Sequence, residues 1–249
     1  MFVAASTRCF PDVSLGKCLK KLADLEYRSA EIVIGNKLSD LQPEWLTEDF
    51  QAAARLCVSC RQISPVAFFI DLPFDSQLYF STFELVLKLC KTLGVVVVVV
   101  KSAPLGSPFN EEFERLSRLV QLGSAYGVLV SLLTEQGATS EAIESLNSLC
   151  KGIPNLRIAL DPSHFIYGRR VQTDFDSIIP KTVHLRLRDT TPQKFQVKIG
   201  QGSLEYKKLV DQLNRRSYSR ALCVDLGALP DVEPESELRK MRLLMESLL

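Results

Sequence analysis

Leu156-Arg-Ile-Ala-Leu-Asp-Pro-Ser-His164 reads as a strand that ends in polar chemistry. Leu156, Ile158 and Leu160 fall on one face and Arg157, Ala159 and Asp161 on the other, because strand side chains alternate with a period of two. Pro162 stops the strand by removing a backbone donor. Asp161 is thereby expected at the C-terminal end of a strand, with His164 in the loop just past it. In parallel α/β sheets that edge is where ligands bind.

Outward from this stretch the same unit repeats. Strand patterns occupy residues 2–6, 29–34, 66–70, 95–100, 128–134, 156–161, 182–188 and 221–225. Helical patterns lie between them at 14–25 with Ser14 as N-cap, 47–62, 81–93, 110–126, from Thr139 or Ser140 to Gly152, 203–215 with Ser203 as cap, and 234–249. Gly94 and Gly127 are placed to end two of these helices, and Pro234 to begin the last. The six valines of 95–100 predict a strand buried on both faces, as parallel strands covered by helices are. Residues 166–180 show no amphipathic period. Eight strands alternating with helices over 249 residues predict a single (β/α)8 TIM barrel spanning 1–249. A doubly wound open sheet is the alternative, but no Gly-rich dinucleotide fingerprint follows the first strand.

Composition narrows the class. Hydrophobic residues make up 46%, enough for a sizeable core, and 30 basic residues against 29 acidic ones leave a net charge of +1. No charge block points to a nucleic-acid or membrane partner. The N-terminus has no basic segment followed by a long apolar one, so no signal peptide is expected. Seven scattered cysteines, an odd number, then fit a reduced cytoplasmic setting, with thiols serving as small core residues. Cys57-Val-Ser-Cys60 has no second CxxC to complete a zinc site.

The two-residue period, applied to the later strands, places charges together. Val183, Leu185 and Leu187 are expected to face the helices, so His184, Arg186 and Arg188 point into the barrel. On the last strand Ala221, Cys223 and Asp225 point in. Lys101 and Glu135 continue the inward faces of their strands. Five consecutive strands thus carry a charge near the C-terminal mouth: Lys101, Glu135, Asp161, Arg186 or Arg188, and Asp225. Carboxylates desolvated there need a cation, either a metal or an arginine.

Leu160-Asp-Pro-Ser-His164, Val183-His-Leu-Arg-Leu-Arg-Asp189, Ile199-Gly-Gln-Gly202 with Tyr206, and Ala221-Leu-Cys-Val-Asp225 resemble the late strands of the xylose isomerase-like TIM barrels. Ala5-Ser-Thr and Ser29-Ala-Glu31 are similar too. That superfamily includes sugar-phosphate isomerases and epimerases, ketose 3-epimerases, inosose dehydratases and endonuclease IV. The resemblance implies a divalent metal, manganese, zinc or magnesium, held by Glu135, Asp161, a histidine and, as the fourth ligand, a carboxylate at Asp225. His164 matches a substrate-binding histidine. The histidine position is Arg186 here, and a guanidinium neither ligates a cation nor loses its proton. The expectation is therefore no tightly bound metal, with Arg186 pairing instead with Glu135, Asp161 or Asp225. Endonuclease IV chemistry needs more histidines than His164 and His184, the two present.

The expected function is a sugar or sugar-phosphate isomerase or epimerase. Glu135 and Asp225 would move the proton, while Lys101, His164, Arg186 and Arg188 bind a sugar or polyol, with or without a phosphate. Gly200-Gln-Gly202, leading into a helix, is a candidate anion cradle. A lyase on the same site, and a non-catalytic or binding protein on a decayed barrel with an arginine–carboxylate network, are the other readings. A homo-oligomer is left open.

Overall fold

The structure, a computed structural model, describes residues 1–35, 40–73, 77–168 and 171–249. Its eight parallel strands are β1 (Phe2–Ser6), β2 (Ser29–Ile34), β3 (Ser64–Ile70), β4 (Val97–Val100), β5 (Leu129–Leu133), β6 (Arg157–Leu160), β7 (Thr182–Leu187) and β8 (Ala221–Val224). They pair in sequence order, and β8 returns to β1, so the sheet is a closed barrel. The helices are α1 (Leu15–Asp24), α2 (Pro43–Glu48), α3 (Phe50–Cys57), α4 (Tyr79–Leu93), α5 (Phe109–Ala125), α6 (Ile143–Gly152), the short turn α7 (Ser163–Ile166), α8 (Tyr206–Arg215) and α9 (Pro234–Glu246). The (β/α)8 barrel expected from the alternation is the observed fold. No helix among the described residues is long and apolar enough to cross a membrane.

Each strand serves two layers. Ile32, Phe68, Val98, Leu132, Ile158, Leu185 and Leu222 face outward into the main core with the helices. Val33, Ala67, Phe69, Val97, Val99, Leu133, Ala159 and Val183 fill the barrel. Val183 departs from the expected outward face. The β6–β7 ladder slips between Ile158 and Ala159, pairing Ile158 with Thr182 but Ala159 with His184, and this irregularity turns Val183 inward. The valine run is also shorter as a strand than expected: Val96 precedes β4 and is 45% exposed.

Several helix ends differ from the sequence reading. The 47–62 pattern is two helices, because Asp49 breaks it and caps the second by accepting from the Ala52 N–H at 2.9 Å. Ser14 makes no capping bond; Asp40 reaches across to take the Leu15 N–H at 2.6 Å. Helix α8 starts at Tyr206, not Ser203. A short 3-10 turn at Thr139–Glu141 precedes α6. Gly94 ends α4 with φ 71°, a left-handed conformation that suits glycine.

Candidate functional site

The C-terminal mouth holds two layers of charge. The deeper one is Glu31 on β2 with His184 and Arg186 on β7. Arg186 donates to Glu31 through Nε at 3.1 Å and Nη2 at 2.8 Å, a two-point grip. Its guanidinium carbon lies 4.0 Å from the centre of the Phe69 ring, which closes its other face. His184 Nε2 sits 2.9 Å from Glu31 Oε2 but out of line for a hydrogen bond. Burial alone would push the Glu31 carboxyl up; Arg186 and His184 override it and hold it at about 2.

The upper layer is Asp161, Arg188 and Asp225, the ends of β6, β7 and β8. Arg188 Nη2 donates to Asp161 Oδ2 and to Asp225 Oδ2, both at 2.8 Å. Arg8, just past β1, brings Nε to 3.7 Å from Asp225 Oδ1, and Arg186 Nη1 stands 3.9 Å from Asp225 Oδ2. Burial acts to raise the Asp225 carboxyl, yet Arg8, Arg188 and Arg186 together hold it well below the usual carboxylate range. Three guanidinium groups thus face three buried carboxylates, and their attraction offsets the desolvation cost of charge this deep.

Phe195, in the loop after β7, roofs this layer. Its ring lies 4.6 Å from the Arg188 guanidinium and 4.7 Å from the His164 ring. His164 accepts the Gln136 N–H at Nδ1, 3.1 Å away, and places Nε2 3.8 Å from Asp161 Oδ2. Burial lowers its pKa against the opposing pull of Asp161, so the neutral ring is favoured. Ser163 N–H donates to Asp161 Oδ1 at 3.0 Å. Ser163 Oγ and Arg188 Nε are buried without a hydrogen-bond partner among the described residues.

Lys101 and Glu135 stand beside this network. Lys101 Nζ pairs with Asp71 Oδ1 at 2.8 Å. Both side chains line a cleft of about 530 Å³ with Gly35, Ser102, Pro104 and Gln136. The Glu135 carboxylate makes no hydrogen bond or ion pair among the described residues.

Two expectations are refined. Of the expected partners Arg186 meets only Asp225, as an ion pair at 3.9 Å; its hydrogen bonds go to Glu31, and Arg188 bridges the two aspartates. The 200–202 loop does cradle an anion, but the anion is internal. Gly200 and Gly202 N–H groups donate to Asp189 Oδ2 at 2.6 and 3.0 Å, and Tyr206 O–H reaches Oδ1 at 3.4 Å. A Cβ at Gly202 would overlap the Asp189 carboxylate, so only glycine fits. The sequence reading also gave no role to Glu31, Arg8 or Phe195. Glu31 was detectable as a lone carboxylate between apolar neighbours on a strand, a place where a charge needs a buried counter-ion.

A divalent metal fits poorly at the strand-end carboxylates. A guanidinium nitrogen lies between Asp161 and Asp225, and Arg186 supplies no lone pair. Among the described residues one set of three side chains, Glu31, His184 and Cys223, brings ligand atoms within 4.8 Å of one another. There, Arg186 engages both Glu31 oxygens. Burial, with Glu31 adding to it, pushes the Cys223 thiol well above its ordinary value.

Comparison with known proteins agrees with this architecture. The IolI protein with a bound zinc atom superposes with a TM-score of 0.76 at 18% identity, covering 100% of this chain and 99% of that one. A D-tagatose 3-epimerase-like protein gives 0.73 at 18% identity, covering 99% of each chain. The 3-keto-D-glucoside 4-epimerase YcjR from E. coli gives 0.76 at 12% identity, again covering 99% of each. At these identities the likeness is one of fold. None of the curated proteins matches the chain. The family model described as xylose isomerase-like TIM barrel matches residues 19–247, through every strand but the first, and the chain belongs to that family.

Proposed function

We propose that this protein acts on a small sugar or polyol at the barrel mouth, as an isomerase or epimerase that moves a proton with Glu135. The observation that carries this reading is the unpaired Glu135 carboxylate, in a cleft that adjoins His164 through Gln136. A base must be free to take a proton, and every other carboxylate described at this mouth is tied to a cation or a backbone donor. Asp225, the second member of the expected proton-transfer pair, is a weak base under three guanidinium groups. Its part is to hold Arg188. Lys101, His164 and Arg188 offer donors suited to hydroxyl oxygens or a phosphate, while Arg186, expected among them, is spent on Glu31 below. The protein would work without a tightly bound metal. The buried, unpaired thiols suit a cytoplasmic setting.

The salt-bridge network itself favours a second reading, a non-catalytic sugar-binding barrel. One experiment separates the two. A panel of ketoses and ketose phosphates is incubated with the protein in D2O and followed by NMR. The enzyme reading expects deuterium to enter at carbon beside the carbonyl for at least one sugar. Glu135→Gln should slow that exchange by about 100-fold or more. Saturable binding with no exchange across the panel would establish the binding reading instead.

A further inference from the structure

We infer that Arg188 is a built-in cation standing where the family's metal would bind, and that it, rather than Arg186, keeps a divalent ion out. The inference holds under either reading of function. Arg186 occupies the family's histidine position in sequence, but its Nε and Nη2 are spent on Glu31 one layer down. Its remaining nitrogen, Nη1, is 3.9 Å from Asp225, beyond hydrogen-bond reach. Arg188 Nη2 is the atom that touches both aspartates that the resemblance assigns to a metal, at 2.8 Å each. One nitrogen shared between oxygens of two strands does for the carboxylates what a bridging ion does: it neutralises them and holds their strand ends together.

Three further features keep the guanidinium there. The Phe195 ring covers it at 4.6 Å. The Ser163 N–H fixes the other Asp161 oxygen at 3.0 Å, so Asp161 presents Oδ2 to Arg188. The side chain is 6% exposed. A dication entering this space would meet a fixed positive charge in contact with two of its three carboxylate ligands, Asp161 and Asp225, and Arg188 cannot give up its proton to make room.

The test uses manganese alone, counted as free ion by electron paramagnetic resonance during titration of the whole protein. The wild type should leave nearly all the manganese free. Arg188→His and Arg188→Gln should each bind about one ion, at least about 100-fold tighter than the wild type, with the melting temperature rising as manganese is added. Arg188→Gln keeps a neutral side chain of similar reach should the histidine variant not fold. Arg188→Lys restores a point charge and should again exclude the ion. Arg186→His, with Arg188 intact, should bind no better than the wild type. One tightly bound manganese in the wild type would overturn the inference. So would a gain in Arg186→His, or no gain in either folded Arg188 variant.

Discussion

The mouth of this barrel is governed by the difference between charges that are spent and one that is not. Arg186 and Glu31 satisfy each other at two points inside the barrel, at 1% and 0% side-chain exposure. Removing one partner strands the other. Arg186→Met should therefore destabilise the protein by about 3–5 kcal/mol in urea unfolding, because Glu31 is left as an uncompensated buried charge. The double variant Glu31→Gln/Arg186→Met should recover most of that loss. Equal losses in the single and double variants would mean that packing on Phe69, and not charge pairing, is what the arginine contributes. His164 is a different case. Its ring nitrogen accepts one backbone hydrogen bond, worth about 0.5–1.5 kcal/mol. His164→Ala should cost no more than about that plus modest ring packing, while weakening any ligand held beside Asp161. A large stability loss with unchanged ligand binding would make it a packing residue.

At the scale of elements, the loop between β7 and α8 shows how a phosphate-cradle pattern can serve an internal carboxylate. Backbone donors at Gly200 and Gly202 point at an anion, as in such cradles, but Asp189 already fills it. The Ile199 N–H adds a bond to Glu237 Oε2 of α9 at 2.7 Å, tying the loop to the last helix. These bonds seat the stretch that carries Phe195 over the mouth. Gly202→Ala should cost about 1–3 kcal/mol, since a Cβ there meets the carboxylate. The cost should be non-additive with Asp189→Ala, which removes the carboxylate, the nearer obstruction, and leaves only the Thr190 backbone nitrogen at 2.8 Å. Additive losses, measured by the urea midpoints of the two single variants and the double, would show that the loop does not owe its shape to Asp189. Elsewhere, element boundaries moved where a side chain outside the local pattern intervened. Asp40 caps α1 in place of Ser14, and a single Asp49 splits one long apolar pattern into α2 and α3.

For the molecule as a whole, the buried carboxylates set the response to acid. Glu31 is held at about 2, against an ordinary value of 4.5, and Asp225 is also depressed. Groups whose pKa is lowered in the folded state stabilise it fully above their unfolded values, and that contribution disappears as pH falls through the folded ones. These two carboxylates should leave the melting temperature flat from pH 8 to about 5 and then lower it steeply between about pH 4.5 and 2. In the Glu31→Gln/Arg186→Met variant that acid limb should become shallower. An unchanged limb would place the acid-sensitive groups elsewhere.

The sequence by itself determined the barrel, the order of its strands and, Val183 apart, which side chains of the later strands point into it. Those follow from periods of two and 3.6 and from the need to bury apolar faces, all written locally in the chain. It also determined that Lys101, Glu135, Asp161, Arg186 or Arg188, and Asp225 stand at strand ends. Which of these charges meet was decided only by the tertiary structure. Arg186 and Glu31 lie 155 positions apart, and alternation states the face a residue takes but not its depth in the barrel. Depth is set by the stagger of strands around a closed sheet, and here also by ladder irregularities at Ala30/Glu31 and Ile158/Ala159. That stagger lowered Arg186 onto Glu31 and left Arg188 to join the two aspartates.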